Sequence, residues 1–228
     1  KDEMTVKKIF LNSGKIIEVT GSGYDPKGAF LLNGNNYQVD DILISLLQAT
    51  TLCSDARLMK SAETWDLVGD PTEAALVVAA AKAGLNKDLL DEQLPRIAEV
   101  PFSSETKRMT TLHQTANGTV AYGKGAAEVM LDSCTHYQAE SGKVLKMTDD
   151  FKNSALQATH MFAKEALRVI GVAYVPTTDL TVAQHQMIFL GMLAMIDPPR
   201  VEAKESIADC FKAGIKVMMI TGDHPVTA

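Results

Sequence analysis

The chain has 228 residues, of which 46% are hydrophobic and 22% are charged, a composition that can bury one large core or two modest ones. This balance excludes an intrinsically disordered chain. A formal net charge of −6 without a cluster of basic residues also argues against nucleic acid as a partner, because a phosphate backbone repels acidic surfaces.

The first elements along the chain are predicted to be a β-hairpin and a helix. Residues 4–11 and 15–21 are short β-rich runs, and the Asn-Ser-Gly sequence at residues 12–14 is typical of a turn. From Asp40 onward the apolar residues recur at helical spacing, and Asp40 can cap the first turn of that helix.

A second helix has a strong start signal. Asp70 can cap it, Pro71 suits the first helical position, and Glu73 completes a capping-box pattern. Gly84 is expected to end this helix.

The middle of the chain predicts an antiparallel sheet. Residues 96–123 are rich in β-formers, and the Asn-Gly pair at residues 117–118 is the strongest short hairpin signal in the sequence. We then expect a short helix over 126–132, a long helix after Thr148, and a strand over 168–175.

In the last third of the chain, continuous apolar runs replace the alternating pattern typical of antiparallel strands. Residues 187–196 form the longest apolar run, about half of the roughly 20 residues that cross a bilayer, so we expect no membrane span. Paired prolines after Asp197 predict a boundary between domains at 1–196 and 197–228. Beyond it, a helix and an apolar strand at 215–220 indicate the start of a parallel α/β domain.

The stretch Gly118–Gly125, GTVAYGKG, nearly matches the phosphate-binding loop G-x-x-x-x-G-K-[ST]. The match fails twice, because Gly125 replaces the hydroxyl residue and TVAY is typical of a strand. Lys124 between two glycines can still meet a ligand that approaches the backbone closely. A solvated surface lysine is the alternative.

Phe102 is predicted to end one strand, while Lys107 and Arg108 begin the next. An aromatic ring beside positive charge can stack a base and attract phosphate. A core phenylalanine with two exposed basic residues is the simpler interpretation.

Other candidates have equally ordinary explanations. Thr72 and Glu73 can bind a nucleotide at a helix start, although capping explains them as well. Arg168 stands at a helix-to-strand junction, where a solvated arginine is the default. The turn at residues 221–223, Thr221-Gly222-Asp223, suits phosphate binding, although turns of this composition are common.

No metal site or histidine-based nucleophile is predicted. The histidines are scattered without metal-ligand spacing, at His113, His136, His160, His185 and His224. Three cysteines form no C-x-x-C pair, which suits a reducing compartment: Cys53, Cys134 and Cys210.

Seven segments in order resemble the P-type ATPases, specifically the calcium-pump and sodium-pump branch. They are KDEMTV, GDPTEAAL, PFSSETKRM, KGAAE, ALRVIGVA, DPPR and ITGDHPVTA, and they extend over nearly the whole chain. The resemblance implies an α+β fold, in which residues 1–196 form a nucleotide-binding domain with an antiparallel β-sheet flanked by helices. Residues 197–228 would form a hinge and begin a haloacid-dehalogenase-like α/β phosphorylation domain.

The resemblance also implies a nucleotide site made of Thr72, Glu73, Phe102, Lys107, Lys124, Gly125 and Arg168. Glu73 would bind the adenine amino group, Phe102 would stack on adenine, and Lys124 would line the base pocket. Lys107 and Arg168 would favour the phosphates.

Further positions match the phosphorylation domain and its hinge. Thr221 and Asp223, on either side of Gly222, match positions near the transferred phosphoryl group, and Asp197 matches the hinge. Two residues depart from the family pattern. Ser104 stands where many calcium pumps place an arginine, and Ala127 replaces the proline of K-G-A-P-E.

By this resemblance, the chain binds ATP and delivers its γ-phosphate to a catalytic aspartate in a D-K-T-G-T-L-T segment expected upstream of Lys1. The whole enzyme would use ATP and Mg²⁺ to drive cation transport, with partner phosphorylation, actuator and transmembrane domains in the same chain. The domain would face the cytoplasm, at the plasma membrane, and alone would bind ATP without turnover. The alternatives are a stand-alone, non-catalytic adenine-nucleotide sensor and a structural or interaction module.

Overall fold

An eleven-stranded sheet forms the centre of the computed structural model, which describes residues 3–61, 64–197, 203–218 and 220. The strands are β1 (Thr5–Leu11), β2 (Ile16–Val19), β3 (Phe30–Leu32), β4 (Asn35–Asn36), β5 (Arg57–Ser61), β6 (Thr64–Val68), β7 (Arg96–Val100), β8 (Arg108–Thr115), β9 (Gly118–Ala126), β10 (Cys134–Gln138), β11 (Val144–Lys146), β12 (Arg168–Pro176) and β13 (Met187–Ile196). The helices are α1 (Asp41–Leu52), α2 (Pro71–Lys82), α3 (Lys87–Gln93), α4 (Ala127–Asp132), α5 (Asp149–Lys164) and α6 (Ala203–Lys212).

The main path of the sheet runs in the order β4-β3-β2-β1-β13-β12-β9-β8-β7, and neighbours on this path are antiparallel. β10 adds to β13 in parallel and pairs with β11, while β5 and β6 form a separate hairpin. The structure therefore confirms the predicted antiparallel sheet flanked by helices.

Local sequence signals fix several element ends as predicted. The β8–β9 hairpin turns at Asn117-Gly118, where Gly118 has a φ of 130°, a conformation that favours glycine. Asp40 caps α1 by accepting from the backbone N–H of Leu43 at 2.9 Å. Asp70 caps α2 in the same way.

Helices cover both faces of the sheet. On one face α1 and α2 bury Leu46 and Leu76 against β1, β12 and β13. On the other face α4 and α5 bury Met130 and Phe162. β13 is apolar throughout because its alternating side chains enter both cores, with Leu193 in the first and neighbouring residues in the second.

The predicted strand at residues 215–220 is wrong for the described part of the chain. Residues 215–218 have no regular structure, and Ile215 and Met218 are exposed. A strand is stable only beside a hydrogen-bonding neighbour, and none of the described strands pairs with these residues. Asp197 follows β13 and is exposed, while Thr221, Gly222 and Asp223 lie outside the described residues.

Within the described ranges, no helix combines the length and apolar character that crossing a bilayer requires.

Candidate functional site

A cavity of about 570 Å³ opens where β9, β12 and the start of α2 meet. Its lining residues are Asp70, Thr72, Glu73, Phe102, Lys107, Lys124, Gly125, Ala126, Arg168, Val169 and Ile170. All seven residues that the sequence marked for a nucleotide site are in this lining, although they come from four separate segments of the chain.

Strand β9 places Lys124 at the inner wall of the cavity. Lys124 lies opposite Met109 on β8 and Val172 on β12, so it occupies the middle of the sheet. Side chains alternate along a strand, and Lys124 therefore shares the face of Tyr122, which belongs to the core beneath α1 and α2. The lysine ammonium is carried toward those two helices.

A buried ion pair joins β9 to α2. Lys124 Nζ lies 2.6 Å from Glu73 Oε1, and the two side chains are only 10% and 14% exposed. The ammonium also donates to the backbone carbonyl of Cys53, just after α1, and lies 3.3 Å from Met109 Sδ. The alternative of a solvated surface lysine is therefore wrong.

The second oxygen of Glu73 binds backbone rather than a side chain. Glu73 Oε2 accepts from the N–H groups of Asp55 at 2.7 Å and Ala56 at 3.0 Å. The predicted capping box is therefore wrong for Glu73, whose carboxylate bonds to Lys124 and to the N–H groups of Asp55 and Ala56 instead of the N–H of Asp70. Asp70 does cap α2, through the N–H groups of Thr72 and Glu73, but the Glu73 carboxylate turns away to α1 and β9.

Gly125 allows the backbone of β9 to approach the backbone of Lys107 and Arg108 closely at the edge of the cavity. A Cβ built on Gly125 would lie 2.4 Å from the carbonyl oxygen of Lys107 and 2.8 Å from Cα of Arg108. Backbone atoms cannot move aside easily, so only glycine fits here. Residues 118–126 form a strand, as expected, and not a phosphate-binding loop of the G-x-x-x-x-G-K-[ST] kind.

Phe102 stands at the open side of the cavity with 61% of its surface exposed. The alternative that it is a core residue is therefore wrong. It belongs to a tight turn in which Lys107 N–H donates to the carbonyl of Ser103 at 2.8 Å, and Lys107 has a φ of 52°. Its ring is free to meet a ligand.

Two cations at the cavity have no acidic partner in the part of the chain that the structure describes. Arg168 donates to the Thr72 hydroxyl at 3.2 Å, and among the described residues neither Arg168 nor Lys107 has a carboxylate within 4.0 Å. Arg108 instead points away and donates to the Ser133 hydroxyl at 2.7 Å, where burial lowers its pKa. The sequence grouped Arg108 with Lys107, but Lys107 lies in the turn before β8 with a φ of 52°, whereas Arg108 is the first residue of the strand.

Sequence reasoning missed the backbone partners of the site. The Cys53 carbonyl and the N–H groups of Asp55 and Ala56 hold Lys124 and Glu73. Backbone groups carry no residue-specific signal, so only the fold reveals them.

Comparison with known proteins gives a consistent result. The model of the family "P-type ATPase, cytoplasmic domain N" matches residues 43–202. The chain is 40% identical to calcium-transporting ATPase 1 of Bacillus cereus over 86% of its length, which covers 22% of that protein. It is 36% identical to cation-transporting ATPase pma1 of Synechocystis and 35% identical to calcium-transporting ATPase type 2C member 1 of Bos taurus, in both cases over 100% of the chain. The chain spans about a quarter of those two proteins, 26% and 23% respectively.

The buried ion pair should dominate the stability of this region. Replacing Lys124 with methionine leaves the Glu73 carboxylate buried without its counter-ion, and we expect the free energy of unfolding to fall by about 3 to 5 kcal/mol. Urea denaturation followed by circular dichroism measures this change.

Lys152→Met is the matched control, because Lys152 Nζ lies at the same 2.6 Å from an Asp132 oxygen, but the side chains are 35% and 70% exposed. The control should cost less than about 1 kcal/mol. An equal fall in the free energy of unfolding in both variants would show that the buried Lys124–Glu73 pair stabilises the protein no more than an exposed pair does.

Proposed function

The chain belongs to the P-type ATPases as a cytoplasmic domain N, and on this basis we propose that it binds ATP in the cavity beneath Phe102 and presents the γ-phosphate to a catalytic aspartate elsewhere in the enzyme. One observation carries the proposal. The seven residues of the expected nucleotide site line a single cavity whose size lies within the range of about 300 to 1,000 Å³ usual for small-ligand sites.

The inner wall of the cavity suits an adenine base. An ionised carboxylate has about four lone-pair positions and can only accept hydrogen bonds. Lys124 and the N–H groups of Asp55 and Ala56 occupy three of them, so Glu73 retains room to accept from the adenine amino group. The exposed ring of Phe102 can stack on the base, which every nucleobase face permits.

The open side of the cavity suits phosphates. Three cationic residues, Lys107, Lys124 and Arg168, line the cavity against two acidic ones, Asp70 and Glu73, although the whole chain has a net charge of −6. With Lys124 and Glu73 paired, Lys107 and Arg168 remain to attract the phosphate oxygens. Positive charge is thus concentrated at the place where the triphosphate is proposed to lie.

Magnesium is proposed to enter with the nucleotide rather than through ligands in this cavity. Asp70 is used as a helix cap and Glu73 is paired with lysine, and no group of three or more metal-binding side chains occurs among the described residues. When bound to ATP, Mg²⁺ neutralises charge on the transferred phosphoryl group.

In the whole protein, we propose that the β–γ phosphoanhydride bond breaks as the aspartate oxygen bonds to the γ-phosphorus and ADP leaves, and that the phosphoenzyme drives cation transport. The relatives are named as calcium- or cation-transporting ATPases, which supports this activity. Residues 197–228 would begin the phosphorylation domain, with Asp197 at the hinge and Thr221, Gly222 and Asp223 near the phosphoryl group. We place the domain on the cytoplasmic side of the plasma membrane, in contact with the actuator, phosphorylation and transmembrane parts of the enzyme.

The chain by itself should bind adenine nucleotides without hydrolysing them, because it contains the residues proposed to contact the base, while the aspartate acceptor is proposed to lie elsewhere. Affinity should depend little on magnesium. Titration calorimetry with ATP, with and without Mg²⁺, measures binding, and a coupled phosphate-release assay measures turnover. Sustained ATP hydrolysis by the purified chain would contradict the proposal, as would the absence of nucleotide binding.

Phe102→Ala should weaken ATP binding by about 1 to 3 kcal/mol, the range for aromatic stacking on a base, without loss of folding. Phe211→Ala is the control, since Phe211 on α6 is 62% exposed, nearly the same as the 61% of Phe102, and is not part of the cavity lining. Calorimetry of both variants decides the role of the ring. Equal ATP affinity in the Phe102 variant and the parent would exclude stacking.

Arg168 and Lys124 should differ in which ligands they affect. We expect Arg168→Ala to weaken ATP by about tenfold and to leave adenosine nearly unchanged, because a phosphate contact is worth about one charge-assisted hydrogen bond. Lys124→Ala should weaken adenosine, AMP and ATP by similar factors. Dissociation constants for the three ligands provide the measurement. A Lys124 variant that loses ATP but keeps adenosine would refute its place beside the base.

A further inference from the structure

The segment between α1 and β5, residues 53–56, borders a second cavity and is hydrogen-bonded to Glu73 and Lys124, two residues that line the first. This second cavity has a volume of about 280 Å³ and is lined by Ser54, Asp55, Arg57, Lys87, Asp91, Pro95 and Arg96. It shares no residue with the lining of the larger cavity. A change in the position of residues 53–56 can therefore pass from the second cavity to the residues that line the first.

Arg96, on β7, makes four hydrogen-bonding contacts, of which two reach this segment, one reaches the carbonyl just before it and one stays on β7. Its Nη2 donates to the carbonyl oxygens of Leu52 and Ser54, both at 3.0 Å. Its Nη1 lies 2.6 Å from the Asp55 carboxylate and 2.7 Å from that of Glu99. Because a guanidinium is planar and rigid, these contacts fix the position of the backbone as well as that of the side chains.

The Ser54–Asp55 peptide group is hydrogen-bonded on two opposite sides. Its carbonyl oxygen accepts from Arg96 at 3.0 Å, and its N–H donates to Glu73 at 2.7 Å. A trans peptide group is planar, so its C=O and N–H point in opposite directions. When Arg96 fixes the carbonyl, it also fixes the direction of the N–H that holds Glu73.

We propose that Arg96 is a positioning residue that orients Glu73 through the Ser54–Asp55 peptide and thereby sets the selectivity of the nucleotide site for adenine. This inference rests on the proposed function, in which Glu73 accepts from the adenine amino group. Arg96 is not part of the nucleotide cavity lining, so it acts on the ligand only through the backbone.

Orientation matters because Glu73 accepts several hydrogen bonds at once. Lys124, Asp55 N–H and Ala56 N–H leave one acceptor direction for a ligand. If the Asp55 N–H turns away, the carboxylate gains freedom and loses the fixed direction that matches an amino group. A base carrying a carbonyl oxygen in place of that amino group gains nothing from a fixed carboxylate, since two acceptors repel each other.

The test compares ATP with inosine triphosphate, which carries an oxygen where adenine carries its amino group. Arg96→Lys keeps the charge but cannot reproduce the four contacts of the guanidinium. We expect this variant to bind ATP about tenfold more weakly and inosine triphosphate less than about twofold more weakly, since only the amino contact depends on Glu73. Titration calorimetry with both nucleotides gives the ratio.

Arg57→Lys is the matched control. Arg57 lines the same second cavity and contacts the carboxylates of Asp88 and Asp91, the second at a distance of 2.8 Å. It makes no hydrogen bond to a peptide group of residues 53–56. Its ATP and inosine triphosphate affinities should match those of the parent. If Arg96→Lys does not fold, Asp55→Ala carries the same test, because it removes one of the contacts by which Arg96 holds the segment.

The possible outcomes separate the two ideas. If the parent binds ATP and prefers it, but Arg96→Lys keeps that preference or weakens both nucleotides equally, Arg96 is structural and the inference is overturned. If the parent binds ATP and inosine triphosphate equally, the adenine contact of Glu73 itself fails, and this inference fails with it. If Arg96→Lys loses the preference for ATP over inosine triphosphate while Arg57→Lys keeps it, the positioning role of Arg96 is supported.

Discussion

The buried pair of Lys124 and Glu73 is the interaction on which the arrangement of this region depends. Two charges removed from water are tolerated only when they meet each other and when their remaining hydrogen-bonding positions are filled. The Cys53 carbonyl serves the ammonium, and two N–H groups serve the carboxylate. Satisfying all of these groups together requires β9, the end of α1 and the start of α2 to take one relative position, and that position forms the inner wall of the cavity.

The two sides of the cavity differ in rigidity and in charge. At the inner wall, Lys124 and Glu73 are held by several contacts each and have little freedom. At the open side, Phe102 is exposed, and Lys107 and Arg168 have no carboxylate within 4.0 Å among the described residues. Such a division suits the proposed ligand, because a flat base gains from a fixed hydrogen-bonding wall, whereas a charged, hydrated triphosphate is bound by cations that keep contact with water.

Local rules predicted much of the fold, and their failures have a common cause. The cap at Asp40, the cap at Asp70 and the hairpin at residues 117–118 depend on neighbours within a few residues, and all are confirmed. The apolar run at 215–220 also fits a strand locally, but pairing needs a neighbour from elsewhere in the chain, and the described strands supply none.

Ordered motifs and periodic patterns along the chain were sufficient to predict the family, the antiparallel α+β fold and seven candidate residues. How those residues contact one another depends on long-range pairing that no local pattern encodes. Local sequence rules predict that Glu73 is part of a helix cap. Its partner Lys124 is 51 positions away in the sequence, and the backbone N–H groups that bond to its carboxylate follow a different helix, α1. The contacts of Arg96 with the Ser54–Asp55 peptide were likewise invisible, since a carbonyl oxygen is the same in every residue and only its place in the fold selects it.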